Sequence, residues 1–388
     1  MPWRTQTIMD ERARFVFEAE RSNLPFAELC RRYGISRPTG YKWVDRRRDD
    51  GVVGLEDRSH RPHSCPHATP PQIEKRIIEL RKRRRWGAPK LRTLLAREFD
   101  SVPSISTIHR ILERHDLVRR RKPRRHSERP GRTPFVADRP NALWTADFKG
   151  QFRTQDGELC YPLTVQDAYS RFLLDCRGLL RPTIDKTMPV FRRLFRTYGV
   201  PDRIRTDNGQ PFASAVTLGR LSRLSVWWIE LGIAPELTQP GKPQQNGRHE
   251  RMHRTLKREA TRPARKHLAA QQTAFNTFRR TFNDVRPHQA LDQKTPAACY
   301  EPSERSYTPT PLPLTYPAHF EVRLVSSIGG IRWKSRTVWV SELLARCEIG
   351  LERIADDLWA VYFGPRHLGW LDESDFRIMK LRRRSTLT

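Results

Sequence analysis

Residues 12–48 alternate apolar and charged positions at the spacing of an α-helix, and the clearest pattern lies in residues 24–48. This stretch predicts two helices around a tight bend, because Gly34 permits the bend and Ser36 can cap the helix that follows. In that second helix we place Arg37, Lys42 and Arg46 on the outer face, and Tyr41 and Val44 on the inner face. The layout is typical of a helix-turn-helix, whose second helix enters the DNA major groove. An ordinary helical hairpin with a solvated charged face is the alternative.

A second helical pattern follows in residues 71–118. Its apolar positions again recur at helical spacing, and two short breaks divide them. The predicted helices are residues 71–85, 89–99 and 104–118, with Ser104 as the cap of the third. The arrangement is also typical of a helix-turn-helix, so the N-terminal third is predicted to hold two DNA-reading modules.

The pattern changes to mixed strands and helices in residues 141–300. Three strand-like runs come first, followed by helix, strand, helix, strand and a long helix. The predicted segments are residues 141–152, 159–170, 171–180, 183–199, 201–207, 214–232, 234–240 and 246–260. Three antiparallel strands followed by alternating helix and strand is the order of an α/β ribonuclease-H-like domain.

Linkers divide the chain into a multidomain protein with an α/β ribonuclease-H-like core, N-terminal all-α helix-turn-helix modules and a small C-terminal β domain. The stretch 301–317 is rich in proline and predicts an extended spacer. The predicted order is a helix-turn-helix domain (1–58), a linker (59–70), a second helix-turn-helix domain (71–118), a basic linker (119–140), the core (141–300), a Pro-rich linker (301–318) and a β-barrel-like DNA-contacting domain (319–388).

The charge of the chain predicts a nucleic-acid partner. Lys and Arg number 73 against 43 Asp and Glu, which gives a formal charge of +30 and a pI near 10.8. Such an excess favours strong, salt-sensitive binding to DNA. The basic linker holds eight Lys or Arg against one Glu in residues 119–132, and this segment is expected to follow phosphates. Its predicted DNA contacts are Arg121, Lys122, Arg124 and Arg125.

Other sequence features predict a cytoplasmic protein, and the basic charge predicts that it associates with the nucleoid. No apolar run is long enough for a membrane span, and the N-terminus has no stretch of signal-peptide type. Six scattered cysteines without a CxxC pair fit a reducing compartment. The Pro- and His-rich linker carries His60, His63, Cys65 and His67, but closely spaced ligands without a second half-site are weak evidence for zinc.

Three acidic residues of this basic chain lie where the predicted strands and helix could bring them together. Asp147 lies in the first predicted strand of the core, Asp207 at the end of the fourth, and Glu250 in the first turns of the long helix. If the two strands are neighbours, the three carboxylates converge and repel one another unless cations neutralise them. Oxygen ligands suit Mg²⁺, with Mn²⁺ as a substitute, and two such ions can activate the attacking oxygen and stabilise the leaving one. Lys257 and Arg254 follow on the same face of the helix, where they are predicted to contact DNA.

The segments WTADFKG, RTDNGQPF and QPGKPQQNGRHERMHRTLKRE resemble the three catalytic segments of bacterial insertion-sequence transposases of the retroviral-integrase superfamily. The later stretches PHQAL and TPAACY are similar to theirs as well. The resemblance implies a DDE recombinase with Asp147, Asp207 and Glu250 as the catalytic and metal-binding triad and Lys257 as a DNA-contacting lysine. Between Asp207 and Glu250 lie 42 residues, a longer interval than is usual in the family, and we expect the surplus in residues 214–228.

The sequence therefore predicts a transposase that binds transposon-end DNA, cleaves phosphodiester bonds to free 3′ hydroxyls and joins these to target DNA. Two DNA ends have to be held together, so a homo-oligomer on double-stranded DNA is the expected working state. A catalytically inactive or repurposed sequence-specific DNA-binding protein is the alternative. A plain ribonuclease-H-like nuclease is a third interpretation, but it would not need two upstream DNA-reading modules.

Overall fold

The computed structural model of the protein describes residues 7–58, 68–118, 135–238, 247–310 and 313–380. These residues form two compact units, 1–70 and 71–388, which are described separately. The histidines and cysteine of the Pro- and His-rich linker lie outside the described residues, as do Arg121, Lys122, Arg124 and Arg125 of the basic linker. Within the described part of the chain, no helix has the length and apolar character of a membrane span.

The first unit is a helical module. Its helices are α1 (Ile8–Arg21), α2 (Phe26–Arg32) and α3 (Arg37–Asp50), followed by a 3₁₀ turn at Gly51–Leu55. Gly34 has φ +65° in the bend between α2 and α3, which a glycine adopts without strain. The Ser36 side chain accepts a hydrogen bond from the backbone N–H of Thr39 at 3.3 Å, so the predicted helix cap is present.

The inner face of α3 differs from the prediction. Trp43 and Gly40 are buried, whereas Tyr41 is 54% exposed and stacks on Phe26 at a ring distance of 4.3 Å. Gly40 faces α2 so closely that a Cβ there would lie 2.8 Å from Cys30 Sγ. The missing side chain at Gly40 lets the helices approach, and this close approach turns Trp43 inward and Tyr41 outward.

The second unit begins with another helical module. Its helices are α4 (Pro71–Arg84), α5 (Ala88–Leu95) and α6 (Ile105–Arg114). Ser104 caps α6 as predicted, because its hydroxyl accepts from the N–H of Thr107 at 3.2 Å. The buried side chains Ile77, Leu91 and Ile108 form the middle of its core, and Val285 packs against this cluster from the α/β core.

The α/β core has a mixed sheet. Its strands are β1 (Trp144–Phe148), β2 (Phe152–Arg153), β3 (Leu159–Asp167), β4 (Leu173–Leu179), β5 (Arg203–Thr206) and β6 (Ala234–Leu237). Strand β3 pairs antiparallel with β1, β2 and β4, while β1 pairs parallel with β5 and β5 parallel with β6. The predicted first and fourth strands, now β1 and β5, are therefore neighbours.

Four helices cover this sheet: α7 (Ile184–Tyr198), α8 (Arg223–Glu230), α9 (Gly247–Glu259) and α10 (Leu268–Arg280). The prediction of a single helix over residues 214–232 is wrong at its start. A 3₁₀ turn occupies Leu218–Arg220, Gly219 has φ +59°, and α8 begins only after Ser222, which caps it. The apolar residues before Ser222, Leu218 and Leu221, belong to a buried cluster that also contains residues of the C-terminal strands. Their spacing therefore does not reflect one continuous helix.

The C-terminal part consists of antiparallel strands. They are β7 (Glu321–Leu324), β8 (Gly330–Trp333), β9 (Arg336–Trp339), β10 (Glu348–Ala355), β11 (Leu358–Phe363), β12 (Arg366–Asp372) and β13 (Arg377–Lys380). Five of them form a sheet in the order β13–β12–β11–β10–β7, and β8 and β9 form a hairpin. Trp333 is buried, but Trp339 is 60% exposed.

This C-terminal sheet shares its core with the segment that precedes β6. Leu218, Leu221 and Ile229 join the same buried cluster as Phe363 and Leu368. The guanidinium of Arg366 donates to the carbonyl of Gly219 at 3.0 Å. The structure thus places part of the predicted surplus, residues 214–228, against the C-terminal sheet.

Candidate active site

Two of the predicted acids lie level on adjacent strands. In the parallel pair β1–β5, Trp144 is opposite Ile204 and Thr145 opposite Arg205. The same register brings Asp147 level with Asp207, which directly follows β5. Glu250 lies in the first turn of α9 and is close enough for its charge to act on Asp147. The structure therefore brings the three predicted carboxylates together at one end of β1 and β5.

The electrostatics of these acids favour a bound cation. Burial raises the pKa of the Asp147 carboxyl to about 7, and the carboxylates of Asp207 and Glu250 add to the rise. Burial also raises the pKa of Asp207. Among the described residues, none of the three acids forms an ion pair with a lysine or arginine. The positive charge of Lys149 acts on Asp147 without offsetting the rise in its pKa. An oxygen-rich site whose acids form no ion pair is the chemistry that divalent metal ions fit.

Two buried histidines support Asp147, and the sequence analysis missed both. His249 and His253 lie one turn apart on α9 with their rings 4.7 Å apart. The hydroxyl of Thr164 lies 2.7 Å from Nε2 of each histidine, and it donates to the backbone carbonyl of Asp147 at 3.1 Å. Nδ1 of His253 lies 3.6 Å from the Asp147 carboxylate. This network connects the acid of β1 to the helix that carries Glu250.

The missed histidines had a signal in the sequence. With Met252, Leu256 and Ala260 they form a stripe at spacings of three and four, and all five are buried. Because this helix is rich in arginine, the two histidines were easily assigned to its basic, solvent-facing side. Their place in the apolar stripe was the available evidence that they point into the protein.

The histidines are neutral and serve as hydrogen-bonding groups. Burial lowers the pKa of His249 to about 3, and burial together with His249 and Lys149 lowers that of His253 to about 2. Ligand atoms of Asp147, His249 and His253 lie within 4.8 Å of one another, a spacing that could hold a metal ion. However, both ring nitrogens of His249 are occupied by hydroxyls, with Thr145 Oγ1 2.9 Å from Nδ1. Of the ligand atoms of these three residues, the Asp147 carboxylate and Nδ1 of His253 are left to bind a cation.

Another buried acid, Asp167, has a structural role. Its carboxylate accepts hydrogen bonds from the N–H and hydroxyl of Ser170 and from the N–H of Asn141. These bonds hold the turn after β3 and leave Asp167 outside the group of three carboxylates.

The structure describes five of the predicted DNA contacts. Arg254 and Lys257 are exposed on α9, on the face of Glu250. In the first unit, Arg37 and Lys42 are exposed on α3 and Arg46 is half-buried. The cations of Lys42 and Arg46 lie 4.9 and 5.0 Å from the ring of Trp43, so both side chains also pack on the protein. No DNA contact of these five is tested by the structure, and all five stay predictions.

Comparison with known protein families agrees with this architecture. Models described as Integrase core domain match residues 137–243 and 231–296. A Helix-turn-helix domain model matches residues 11–63, and a Homeodomain-like domain model matches residues 39–112. The helical modules and the sheet with its three acids therefore correspond to recognised domain types.

Two of the similar proteins come from insertion elements. An uncharacterized 39.2 kDa protein of insertion element IS476 from Xanthomonas euvesicatoria is 27% identical over 277 residues, which cover 69% of this chain and 75% of that protein. An uncharacterized 31.7 kDa protein of IS407 from Burkholderia multivorans is 26% identical over 263 residues, or 66% of this chain and 90% of that protein. Among solved structures, the HTLV-2 integrase catalytic core domain in complex with magnesium is 18% identical, covers 42% of this chain and 99% of that chain, and has a TM-score of 0.34.

The folded parts and the family matches define a multidomain protein in which helix-turn-helix modules precede an integrase core. Within that class, the integrase-core matches and the relatives from insertion elements support an insertion-sequence transposase of the integrase superfamily.

Proposed function

We propose that the chain is an active DDE transposase. It binds the ends of its element, cleaves a phosphodiester bond to free a 3′ hydroxyl, and joins that hydroxyl to target DNA. The observation that carries this proposal is the level placement of Asp147 and Asp207 on β1 and β5, with Glu250 close by on α9. A protein that only binds DNA gains nothing from three carboxylates facing a polyanion, since they repel phosphates.

In this proposal Asp147, Asp207 and Glu250 hold two Mg²⁺ ions, for which Mn²⁺ can substitute. When bound, the ions would polarise the phosphate oxygens and activate the attacking water or hydroxyl. The three side chains fit this cofactor because they supply oxygen ligands, and because burial and neighbouring carboxylates make the charged form of Asp147 unfavourable until a cation binds. His253 and Thr164 would fix the position of Asp147, since preorganised ligands bind a metal more tightly than mobile ones.

The remaining parts of the chain would handle the DNA. Arg254 and Lys257 would hold phosphates beside the metals, and the helix-turn-helix modules would recognise the element ends, with Arg37, Lys42 and Arg46 in contact with DNA. Arg121, Lys122, Arg124 and Arg125 are proposed to follow the backbone. The proposed working state is a homo-oligomer that holds two ends, and association with the bacterial nucleoid stays a prediction.

A strand-transfer assay tests this function. Labelled duplexes with the end sequences of the flanking element are incubated with Mg²⁺ and either the wild-type protein or Asp207→Asn. We expect joined product from the wild type alone, with both proteins binding the ends, because asparagine keeps the shape of the side chain and removes its charge. End binding without product from the wild type, in Mn²⁺ as well as Mg²⁺, would support the non-catalytic DNA-binding protein. Cleavage without joining would support a plain nuclease.

A further inference from the structure

The second unit contains a basic cleft that the proposed catalytic site does not use. The cleft has a volume of about 670 Å³ and lies between the C-terminal end of α4 and the segment that follows α9. One wall carries four consecutive cations, Lys82, Arg83, Arg84 and Arg85. The other wall carries Arg258, Arg262 and Arg265. Two different parts of the unit, the helical module and the α/β core, thus contribute positive charge to one surface.

Most of this charge has no protein counter-charge. Glu259 is the acid that lines the cleft, and its carboxylate is bound by Arg258 at 2.7 Å and by Arg286 at 3.0 Å. Among the described residues, the six other cations of the two walls form no ion pair. Like charges held this close together raise the free energy of the folded protein unless an anion joins them. The repulsion is felt at Arg84, where burial first and then neighbouring Arg83 lower the pKa.

The two walls are fixed relative to each other. Trp86, directly after the first wall, is 3% exposed, and the guanidinium of Arg286 lies 5.3 Å from its ring. The same guanidinium binds Glu259 on the second wall, so one arginine ties both sides. The floor between them is part of α10, where Ala270, Thr273 and Ala274 leave room for a bulky ligand. A rigid charged surface loses little entropy when it binds a partner.

The position of the cleft relative to the acids is compatible with a DNA backbone as its ligand. Arg258 is eight residues after Glu250 on α9, which is about 12 Å along the helix axis. Exposed Arg254 and Lys257 lie between them on the same face. Because duplex DNA rises about 3.4 Å per base pair, this distance corresponds to three or four base pairs. A small anion would not need seven cations, whereas a DNA backbone presents phosphates along this whole path.

We propose that the cleft between α4 and α9–α10 binds the phosphate backbone of the DNA duplex whose reacting phosphate lies at Asp147, Asp207 and Glu250. The inference rests on the proposed function for the identity of the DNA. It adds a specific contact surface, shared by the second helical module and the core, a few base pairs from the reacting bond. The module would therefore position DNA for the chemistry in addition to any sequence reading by α6.

The salt dependence of DNA binding tests the cleft. Full-length protein is titrated with a labelled element-end duplex in EDTA, so that no cleavage occurs. The variants are Lys82→Gln/Arg83→Gln on one wall, Arg262→Gln/Arg265→Gln on the other, and all four changes together. The matched control is Arg192→Gln/Arg196→Gln on α7, two exposed arginines that lie outside the cleft and form no ion pair within the described residues.

Each wall variant is expected to flatten the slope of log affinity against log salt by about 1 to 2, since one phosphate contact contributes about 0.9. A variant that has lost two contacts binds more weakly than the wild type at low salt. The ratio of the two affinities should fall about tenfold between roughly 50 and 200 mM salt, because the wild type loses more affinity as salt is added. The variant with all four substitutions should flatten the slope by about the sum of the two wall effects. The α7 control should keep the wild-type slope. Wall variants that behave like the control would overturn the proposal.

A second measurement on the wild-type protein covers the case of a variant that does not fold. Ethylation of phosphates about three to four base pairs from the reacting bond should weaken binding if the cleft holds them. Interference confined to other phosphates would contradict the cleft. The outcomes separate the two proposals: an unchanged slope in a protein that makes strand-transfer product rejects only the cleft, and a flattened slope without product rejects only the transposase function.

Discussion

At the scale of single residues, the protonation of Asp147 links metal binding to the stability of the fold. Its pKa is raised to about 7 in the folded protein by burial first and then by Asp207 and Glu250. An acid whose folded pKa is raised still holds its proton at a pH where the unfolded chain, with a pKa near 4, has already lost it, so a rise in pH favours the unfolded state of the metal-free protein. The loss builds up between about pH 4 and pH 7, is fully present above pH 7, and is on the order of a few kcal/mol. A bound metal ion relieves it, because the metal replaces the proton.

The first prediction concerns metal and pH. Mg²⁺ should raise the midpoint of thermal unfolding more at pH 8 than at pH 5.5, because protons compete with the metal for Asp147 at the lower pH. Differential scanning calorimetry at both pH values measures the shift. The control is Asp147→Asn, which should remove most of the Mg²⁺ effect and its pH dependence. An equal Mg²⁺ shift in wild type and Asp147→Asn would show that the metal binds elsewhere.

The second prediction concerns His253. Replacement by leucine removes the contacts to Thr164 and to the Asp147 carboxylate, and should weaken apparent Mg²⁺ affinity about 10- to 100-fold, the usual effect of losing a group that supports a metal ligand. His253→Gln, whose amide can still reach Thr164, should lose less. Mg²⁺ titration of strand transfer and of the unfolding midpoint gives the two affinities. DNA binding in EDTA should stay unchanged, and a loss there equal to the loss of activity would indicate general damage to the fold.

At the scale of elements, the sequence predicted the strands and helices that carry the acids but misread one segment. Strand β1, strand β5 and helix α9 were each predicted close to their observed bounds. Residues 214–232 look like one helix because Leu218 and Leu221 lie at helical spacing with Val226 and Ile229. These side chains in fact pack against the C-terminal sheet, a partner that lies more than a hundred residues further along the chain. Local periodicity does not contain that information.

The third prediction tests the break before α8. Gly219 has φ +59°, and a Cβ there would lie 2.9 Å from Leu368 Cδ2. Gly219→Ala should therefore lower the free energy of unfolding by about 1–2 kcal/mol through backbone strain and crowding. The matched control is Gly150→Ala, because a Cβ at Gly150 meets nothing within 4 Å and its φ is not in the left-handed region. Urea denaturation compares both variants, and equal stabilities would show that the turn tolerates a side chain.

At the scale of the whole molecule, we propose that sequence specificity and chemistry fall to different parts of the chain. The order of helical modules, core and C-terminal strands was predictable from composition and periodicity. The support of Asp147 by His249 and His253 was not, because it depends on how α9 packs against β1 and β3. The basic cleft was also hidden, since its walls come from segments about 180 residues apart and meet only in the folded unit.

The fourth prediction follows from this division. Lys42→Ala on α3 should lower the preference for end sequence over random duplex about 5- to 100-fold, the effect of one lost base contact. Lys257→Ala should weaken both duplexes alike and flatten the salt slope by about 1. Competition binding at several salt concentrations separates the two effects. A uniform loss from Lys42→Ala would reassign that lysine to the DNA backbone.

The central claim is that Asp207 binds a catalytic metal ion, and a change of ligand tests it most directly. Strand transfer is measured for Asp207→Cys in Mg²⁺ and in Mn²⁺, with Asp207→Asn as the inactive control. A thiolate is a poor ligand for Mg²⁺ and a better one for Mn²⁺. We expect no product from Asp207→Cys in Mg²⁺ and recovered product in Mn²⁺. Wild-type activity of Asp207→Cys or Asp207→Asn in Mg²⁺ would contradict the account.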